Sequence, residues 1–216
     1  MSDALAVPHG HGHGHGHEHD HEVGCTGLHH RKIMMWAFLG SDCMFFGSLI
    51  ATYVAYVGKS PIPPVPYDVF DLNVTSISTF VLLMSSLMMV LCLSAIQRND
   101  IKWFRVWCAM TAFFGLIFLG FQYYEFSHFV SRGLTLKSSL FGSTFFVLTG
   151  THGTHVAIGV LWLLSMLFFS YRTGFGRERA LDVEIAGLYW HFVDIVWIVI
   201  FTVVYIVEFV VGHPGG

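Results

Sequence analysis

Charge is scarce in this chain. Only 12% of its 216 residues are Asp, Glu, Lys or Arg, where a soluble domain carries about 25%. Mean hydropathy is +0.62. That deficit, combined with five long apolar runs, excludes an ordinary soluble domain and marks an integral membrane protein. Basic excess is missing too: the net charge is −3, so no nucleic-acid partner is expected. The four cysteines, Cys25, Cys43, Cys92 and Cys108, form no CxxC pair, and three lie in apolar spans. They are expected to be buried thiols rather than disulfides or metal ligands. No internal repeat is visible, which weakens any reading as a transporter built on inverted repeats. No signal peptide is expected either, because the first thirty residues are polar and the first apolar run is too long for an h-region.

What is present is organised around the membrane. Residues 1–32 form a tail rich in Gly and His, which cannot bury a core and is expected to be disordered alone. The membrane domain, 33–211, holds apolar spans at about 33–57, 74–96, 106–130, 140–169 and 184–211. Each exceeds the ~20 residues that cross ~30 Å of hydrocarbon as a helix. Residues 212–216 form a short outer tail. The predicted fold is an all-α bundle of five transmembrane helices. The surplus length of the fourth and fifth implies tilt or protruding ends. A proline-stiffened loop, KSPIPPVPYDVFDLN, joins the first two spans, and the short basic loop 97–105 makes spans two and three an antiparallel pair. Eight Lys and Arg fall on one side: Arg31 and Lys32, then Arg98, Lys102 and Arg105, then Arg172, Arg177 and Arg179. The other side has Lys59, Arg132 and Lys137. The positive-inside rule then places the N-terminus in the cytoplasm and the C-terminus outside.

Several ionisable groups sit at membrane depth, where each costs at least ~2.5 kcal/mol and is usually paired or functional. The segment EIAGLYWHFVDIVWIV, Glu184 to Val199, carries His191 and Asp194 three apart on one helix face. Counted from the cytoplasmic edge at ~1.5 Å per residue, Asp42, His191 and Asp194 share one depth. Asp42 has no charge within nine residues, and its expected partner is His191. Gln122 and Glu125 lie toward the outer end of span three, where the plain reading of Glu125 is a side chain that reaches the outer headgroups. His152 and His155 lie in span four. Glu184 and Glu208, at span ends, are expected to be solvated. H-x-x-H at 152–155 and H-x-x-D at 191–194 supply two groups each, too few for a metal site in the membrane domain. Histidines hydrogen-bonded between helices are expected instead. Gly142, Gly150, Gly153 and Gly159 give span four a close-packing face. Trp36, Trp103, Trp107, Trp190, Tyr205 and Phe209 fall partly at interface levels, as anchors do. In the tail, His9, His11, His13, His15, His17, His19 and His21 alternate with other residues. They are weak candidates for a divalent metal, beside the plainer reading of a solvated flexible tail.

Five segments, in order, resemble subunit III of the haem-copper oxidases over about residues 32–211. LGSDCMFFG resembles the family's first core-helix motif, a carboxylate followed by two phenylalanines. DLNVTSIS resembles the opening of the next helix, FQYYEF the Gln-x-x-Glu-aromatic motif, and FGSTFFVLTGTHGTHVAIG the glycine-histidine helix. YWHFVDIVWIVIFTVVYI resembles the last helix nearly letter for letter. The family commonly has seven helices; this chain lacks the first two, like its shorter bacterial versions, and adds the histidine tail. Asp42 stands where the family usually carries glutamate, keeping the charge with one methylene less reach.

The resemblance implies a non-catalytic subunit of a bacterial respiratory oxidase in the cytoplasmic membrane. Such a subunit packs directly on subunit I, joins subunit II in the complex, binds phospholipid, and supports proton uptake and the durability of the active site. It carries no cofactor itself, haem and copper belonging to the partner subunits. A respiratory supercomplex is a further assembly open to such a complex. Asp42, His191, Asp194, Glu125, Gln122, His152 and His155 are the residues tied to proton or lipid interactions on this reading. The cytochrome c oxidase type is the first expectation and a quinol oxidase the alternative. Two more distant classes stay open: a free-standing proton-coupled carrier, and a metal-handling membrane protein using the tail.

Overall fold

A computed structural model describes residues 29–56, 72–131, 140–172 and 176–206. The described residues contain five long helices: α1 (His30–Tyr56), α2 (Leu72–Gln97), α3 (Ile101–Ser131), α4 (Leu140–Arg172) and α5 (Ala180–Phe201). A 3₁₀ turn, Arg177–Arg179, leads into α5, and a π turn, Thr202–Ile206, follows it. All five are long and apolar enough to span a bilayer. Apolar residues surround each helix because lipid, like a protein interior, accepts them on any face. The expected spans are thus found with ends shifted by a few residues. At the helix starts the largest shifts are at α3 and α5, which begin five and four residues earlier than expected because charged residues, Lys102 and Arg105 in α3 and Asp182 in α5, are carried in their opening turns. α1 begins at His30, so Arg31 and Lys32 are helical. The Pro-rich loop, Glu208 and residues 212–216 lie outside the described residues.

Helix α5 is the centre of the bundle. Half of its apolar window is buried inside the chain, against 17% for α1. It packs on α2, α4 and α1, while α3 packs on α2 and α4. α1 is therefore peripheral, seated on α4 and α5 alone among the principal contacts. Cys92 and Cys108 are buried free thiols, as expected. Cys43 is not: it is exposed on α1, because that helix buries only one stripe.

The α2–α3 turn shows why the antiparallel pair forms. Asn99 takes φ 60°, the left-handed conformation that ends helices. Its N–H reaches the Ile96 carbonyl at 3.0 Å, and the Asp100 N–H reaches Ala95 at 2.9 Å. These two bonds satisfy the last carbonyls of α2. Asp100 then caps α3, its Oδ1 accepting from the Trp103 N–H at 3.4 Å. Replacing Asn99 with valine should cost about 1–2 kcal/mol, the penalty of a β-branched residue at positive φ. A lower thermal midpoint would register it, and an unchanged midpoint would count against this turn as the determinant.

The three basic segments gather at one end. Arg31 pairs with Asp182 at 2.8 Å and Lys32 with Glu184 at 2.5 Å. The Asn99 Oδ1 accepts from the Arg177 N–H at 3.3 Å. The Arg105 Nε donates to Ser170 Oγ at 2.9 Å, and its guanidinium lies 4.4 Å over the Tyr171 ring. Glu184 is thus an ion-pair partner, not a merely solvated end group. It sits just past the first turn of α5, where that helix meets the first turn of α1.

Candidate functional site

Buried and partly buried residues of α1 recur at a spacing of four and three: Met35, Leu39, Asp42, Phe46, Leu49 and Tyr53. That is the seam spacing of helices packed at a shallow angle. Asp42 occupies one of these seam positions, so the backbone itself carries the carboxylate into the bundle. On the facing helix, α4, His155 meets it: Nε2 lies 3.3 Å from Asp42 Oδ2, with the side chains 17% and 12% exposed. The other ring nitrogen, Nδ1, lies 2.8 Å from the Thr151 carbonyl oxygen. The Tyr189 hydroxyl, from α5, donates to the His155 carbonyl at 3.0 Å.

The expected Asp42–His191 pair does not form. His191 Nδ1 instead lies 2.5 Å from the Ser86 Oγ of α2. Depth is one coordinate only. His191 shares a level with Asp42, but its helix turns it toward α2, whereas α1 lies against α4 and the other side of α5. Ser86 also interacts with the Asp194 carboxyl, so Ser86, His191 and Asp194 form a second polar group. Asp194 is 5% exposed.

A third group lies between α2, α3 and α4. Glu125, whose plain reading was a side chain reaching the headgroups, is instead buried and accepts from the Thr75 hydroxyl. α2 runs alongside and covers it. One turn away, Gln122 Nε2 donates to the Thr149 carbonyl at 2.7 Å. Gly153 makes room for it: a methyl there would lie 2.7 Å from Gln122 Nε2. His152 is fully buried among rings, stacked on Trp197 at 4.9 Å and edge-on to Phe118 at 5.9 Å. Trp197 Nε1 donates to Thr79 at 3.0 Å. The two histidines of H-x-x-H therefore part company, His155 toward α1 and His152 into the core.

The packing anchor is Trp190. Composition placed it among interface aromatics; it is 2% exposed. It enters from α5, and its Nε1 donates to Ser85 of α2 at 3.0 Å. A methyl at Gly115 of α3 would lie 2.7 Å from its ring, and one at Gly159 of α4 would lie 2.9 Å. Trp36 and Trp103 remain exposed, as anchors are. The side chains of Tyr205 and Phe209, and the tail histidines His9 to His21, lie outside the described residues.

The polar groups at membrane depth thus resolve into three sets: Asp42 with His155, His191 and Asp194 with Ser86, and Gln122 and Glu125 with hydroxyls and carbonyls. Among the described residues, no three His, Cys, Asp or Glu side chains converge as a metal site.

Comparison with known proteins bears on the whole membrane domain. The family model described as cytochrome c oxidase subunit III matches residues 16–209. The chain is similar to cytochrome c oxidase subunit 3 of Bacillus sp. (strain PS3), 39% identical over 175 residues, covering 81% of this chain and 84% of that one. It is also similar to quinol oxidase subunit 3 of Bacillus spizizenii, 38% identical over 171 residues, with 79% and 84% covered. Cytochrome c oxidase subunit 3 of Bacillus subtilis is 38% identical over 176 residues, with 81% and 85% covered. A match across all five helices, including the segments that carry Asp42, Gln122, His155 and His191, means that this chain belongs to the cytochrome c oxidase subunit III family.

Proposed function

We propose that this chain is the non-catalytic third subunit of a bacterial terminal oxidase of the cytochrome c oxidase type, a multi-pass protein of the cytoplasmic membrane. It packs directly on subunit I, with subunit II in the same complex. Haem and copper sit in those partners. Its own part is to bind phospholipid and to support proton uptake and the durability of the oxygen-reducing site. The observation that carries this reading is the Asp42–His155 contact at 3.3 Å. It joins two segments that resembled separate family motifs, so the motifs act as one structural unit. The end bearing eight Lys and Arg faces the cytoplasm on this reading.

Lipid binding draws support from a hollow of about 250 Å³ at that end, lined by Arg31, Trp162, Met166, Arg179, Asp182 and Ile185 among others. Cationic groups at its rim suit a phosphate, and the apolar wall suits an acyl chain. Relatives named for quinol oxidases match nearly as well as those named for cytochrome c oxidases, 38% against 39%. The electron donor is thus a property of the partner subunits.

Affinity purification of the tagged chain from its host tests the proposal. A haem absorbance spectrum and a redox-active partner of subunit I size are the expected result. A chain that purifies alone, in mild detergent, with no haem would point instead to a free-standing carrier.

A further inference from the structure

Four helices surround α5 without closing around it. α2 packs on α3, α3 on α4 and α4 on α1, but α1 and α2 share no principal contact. α5 itself packs on α2, α4 and α1, so its one open stripe faces the gap between α1 and α2. Ile195 and Ile198 of that stripe are exposed, and so are Leu83 and Val90 of α2. His191 stands on the same stripe, four residues before Ile195, and is partly exposed. Ser86 shares a helix face with Leu83 and Val90, three residues after one and four before the other.

The His191 ring is held from inside and unsatisfied outside. Nδ1 lies 2.5 Å from Ser86 Oγ, and Ser86 also interacts with the Asp194 carboxyl. Among the described residues Nε2 has no hydrogen-bond partner, and it is not sealed inside the bundle. Which role Nε2 plays follows from the inner groups. Among the described residues no Lys or Arg forms an ion pair with Asp194, and an uncompensated charge at this depth is costly. Two arrangements of the group are neutral. In one, a carboxylic acid donates to Ser86 and Ser86 donates to Nδ1, so the imidazole carries its proton at Nε2. In the other, an imidazolium donates from Nδ1 to Ser86 and Ser86 donates to the carboxylate, so Nε2 again carries a proton. Both leave a donor pointing outward. It lies seven residues, ~10 Å, deeper than Glu184, which pairs with Lys32 at the charged end. Imidazole is too short to snorkel back to that level, and hydrocarbon offers no acceptor.

We infer that the gap between α1 and α2 receives a transmembrane helix of a partner subunit, whose side-chain oxygen accepts a hydrogen bond from His191 Nε2. The exposed Leu83, Val90, Ile195 and Ile198 supply apolar packing around that single polar contact. The existence of a partner subunit rests on the reading above; the docking face and the chemistry of the contact are added by the geometry of this chain.

The test places a light-activated benzophenone amino acid at Ile195 or Val90 of the full chain in native membranes, and maps the adducts by mass spectrometry. The expected adduct is with one transmembrane segment of a different protein, bearing an Asp, Glu, Asn, Gln, Ser or Thr at the cross-linked level. Variants at position 191 then isolate the polar contact. His191→Asn keeps an amide beside Ser86 but loses the outward reach. His191→Gln extends an amide donor outward. Adduct yield and the partner-to-chain ratio after detergent purification should fall about fivefold in the Asn variant, the loss of one interhelical hydrogen bond, and stay near wild type in the Gln variant. Ser86→Ala removes only the inner bond and should retain the partner. Equal losses in all three variants, or adducts with phospholipid alone or with a second copy of this chain, overturn the inference. A haem protein that co-purifies yet forms no adduct at either position also overturns it, while leaving the subunit reading intact. An adduct that meets these criteria on a protein from a haem-free assembly upholds the docking face and sinks the oxidase reading.

Discussion

Replacing Trp190 with alanine should remove about 3 kcal/mol of packing and release the chain from detergent-purified complex. The figure is the low end for truncating a buried aromatic. It is taken low because lipid is itself apolar, so helices in a bilayer gain little from transfer and depend on contact and hydrogen bonding. Trp190 is 2% exposed, and one side chain from α5 touches the other three helices of the core. Its ring lies between Gly115 of α3 and Gly159 of α4, and its Nε1 bonds Ser85 of α2. Alanine leaves a void bounded by all three. Trp190→Phe separates the terms: it keeps most of the ring and loses the Ser85 bond, for about 0.5–1.5 kcal/mol. Gly159→Val approaches from the other side. Its Cβ would stand 2.9 Å from Trp190 and 3.2 Å from Tyr189, and overpacking of that kind costs about 1–3 kcal/mol. Thermal midpoints of the purified protein rank the three. A Trp190→Ala loss below that of Trp190→Phe would show that the ring is not the anchor.

The fold was legible because hydrocarbon thickness sets helix length and a chain crossing it has few options. Runs of apolar residues located all five helices, and the charges between them located the shared end where Arg31, Lys32, Arg105 and Arg177 now make their contacts. Side-chain partners were less legible, and Asp42 shows why. Counting residues along a helix gives depth, and depth placed Asp42 level with His191. Which neighbour a side chain meets also depends on rotation about the helix axis and on which helices are adjacent. Part of that was written in the chain. The four-three spacing of Met35, Leu39, Asp42, Phe46, Leu49 and Tyr53 marks the buried face of α1 and puts the carboxylate on it. Nothing in that spacing says that the facing helix is α4, which lies three helices further along. Trp190 was misplaced for a related reason. An aromatic near a span end reads as an anchor until the glycines that receive it, Gly115 and Gly159, are seen to lie on two other helices.

Removing the carboxylate altogether, Asp42→Ala, is expected to leave haem content unchanged while shortening the working life of the oxidase or lowering its turnover. The reasoning runs from the pair outward. Alanine suits an apolar seam position, so α1 still folds against α4. His155 keeps its Nδ1 bond to Thr151 but loses the group facing Nε2. A buried polar atom left without a partner costs about 1–3 kcal/mol. α1 is the least buried of the five helices, held at one end by Arg31–Asp182 and Lys32–Glu184. A cost of that size at its middle is therefore felt as weaker seating of the whole helix. Asp42→Asn divides the two contributions. Its amide can donate to Nε2, restoring the seam contact, but it cannot take up or release a proton. If the pair matters only as a structural clasp, Asn should behave as wild type and Ala alone should fail. If its proton matters, both variants should lose turnover or lifetime, with Ala losing retention of the chain as well. Asp42→Glu adds one methylene against the same histidine and should keep the proton, at the expense of a strained seam. Turnover, inactivation half-life and subunit content measured side by side in verified complexes give the answer. Wild-type values in both the Ala and Asn variants would remove Asp42 from any role in the oxidase.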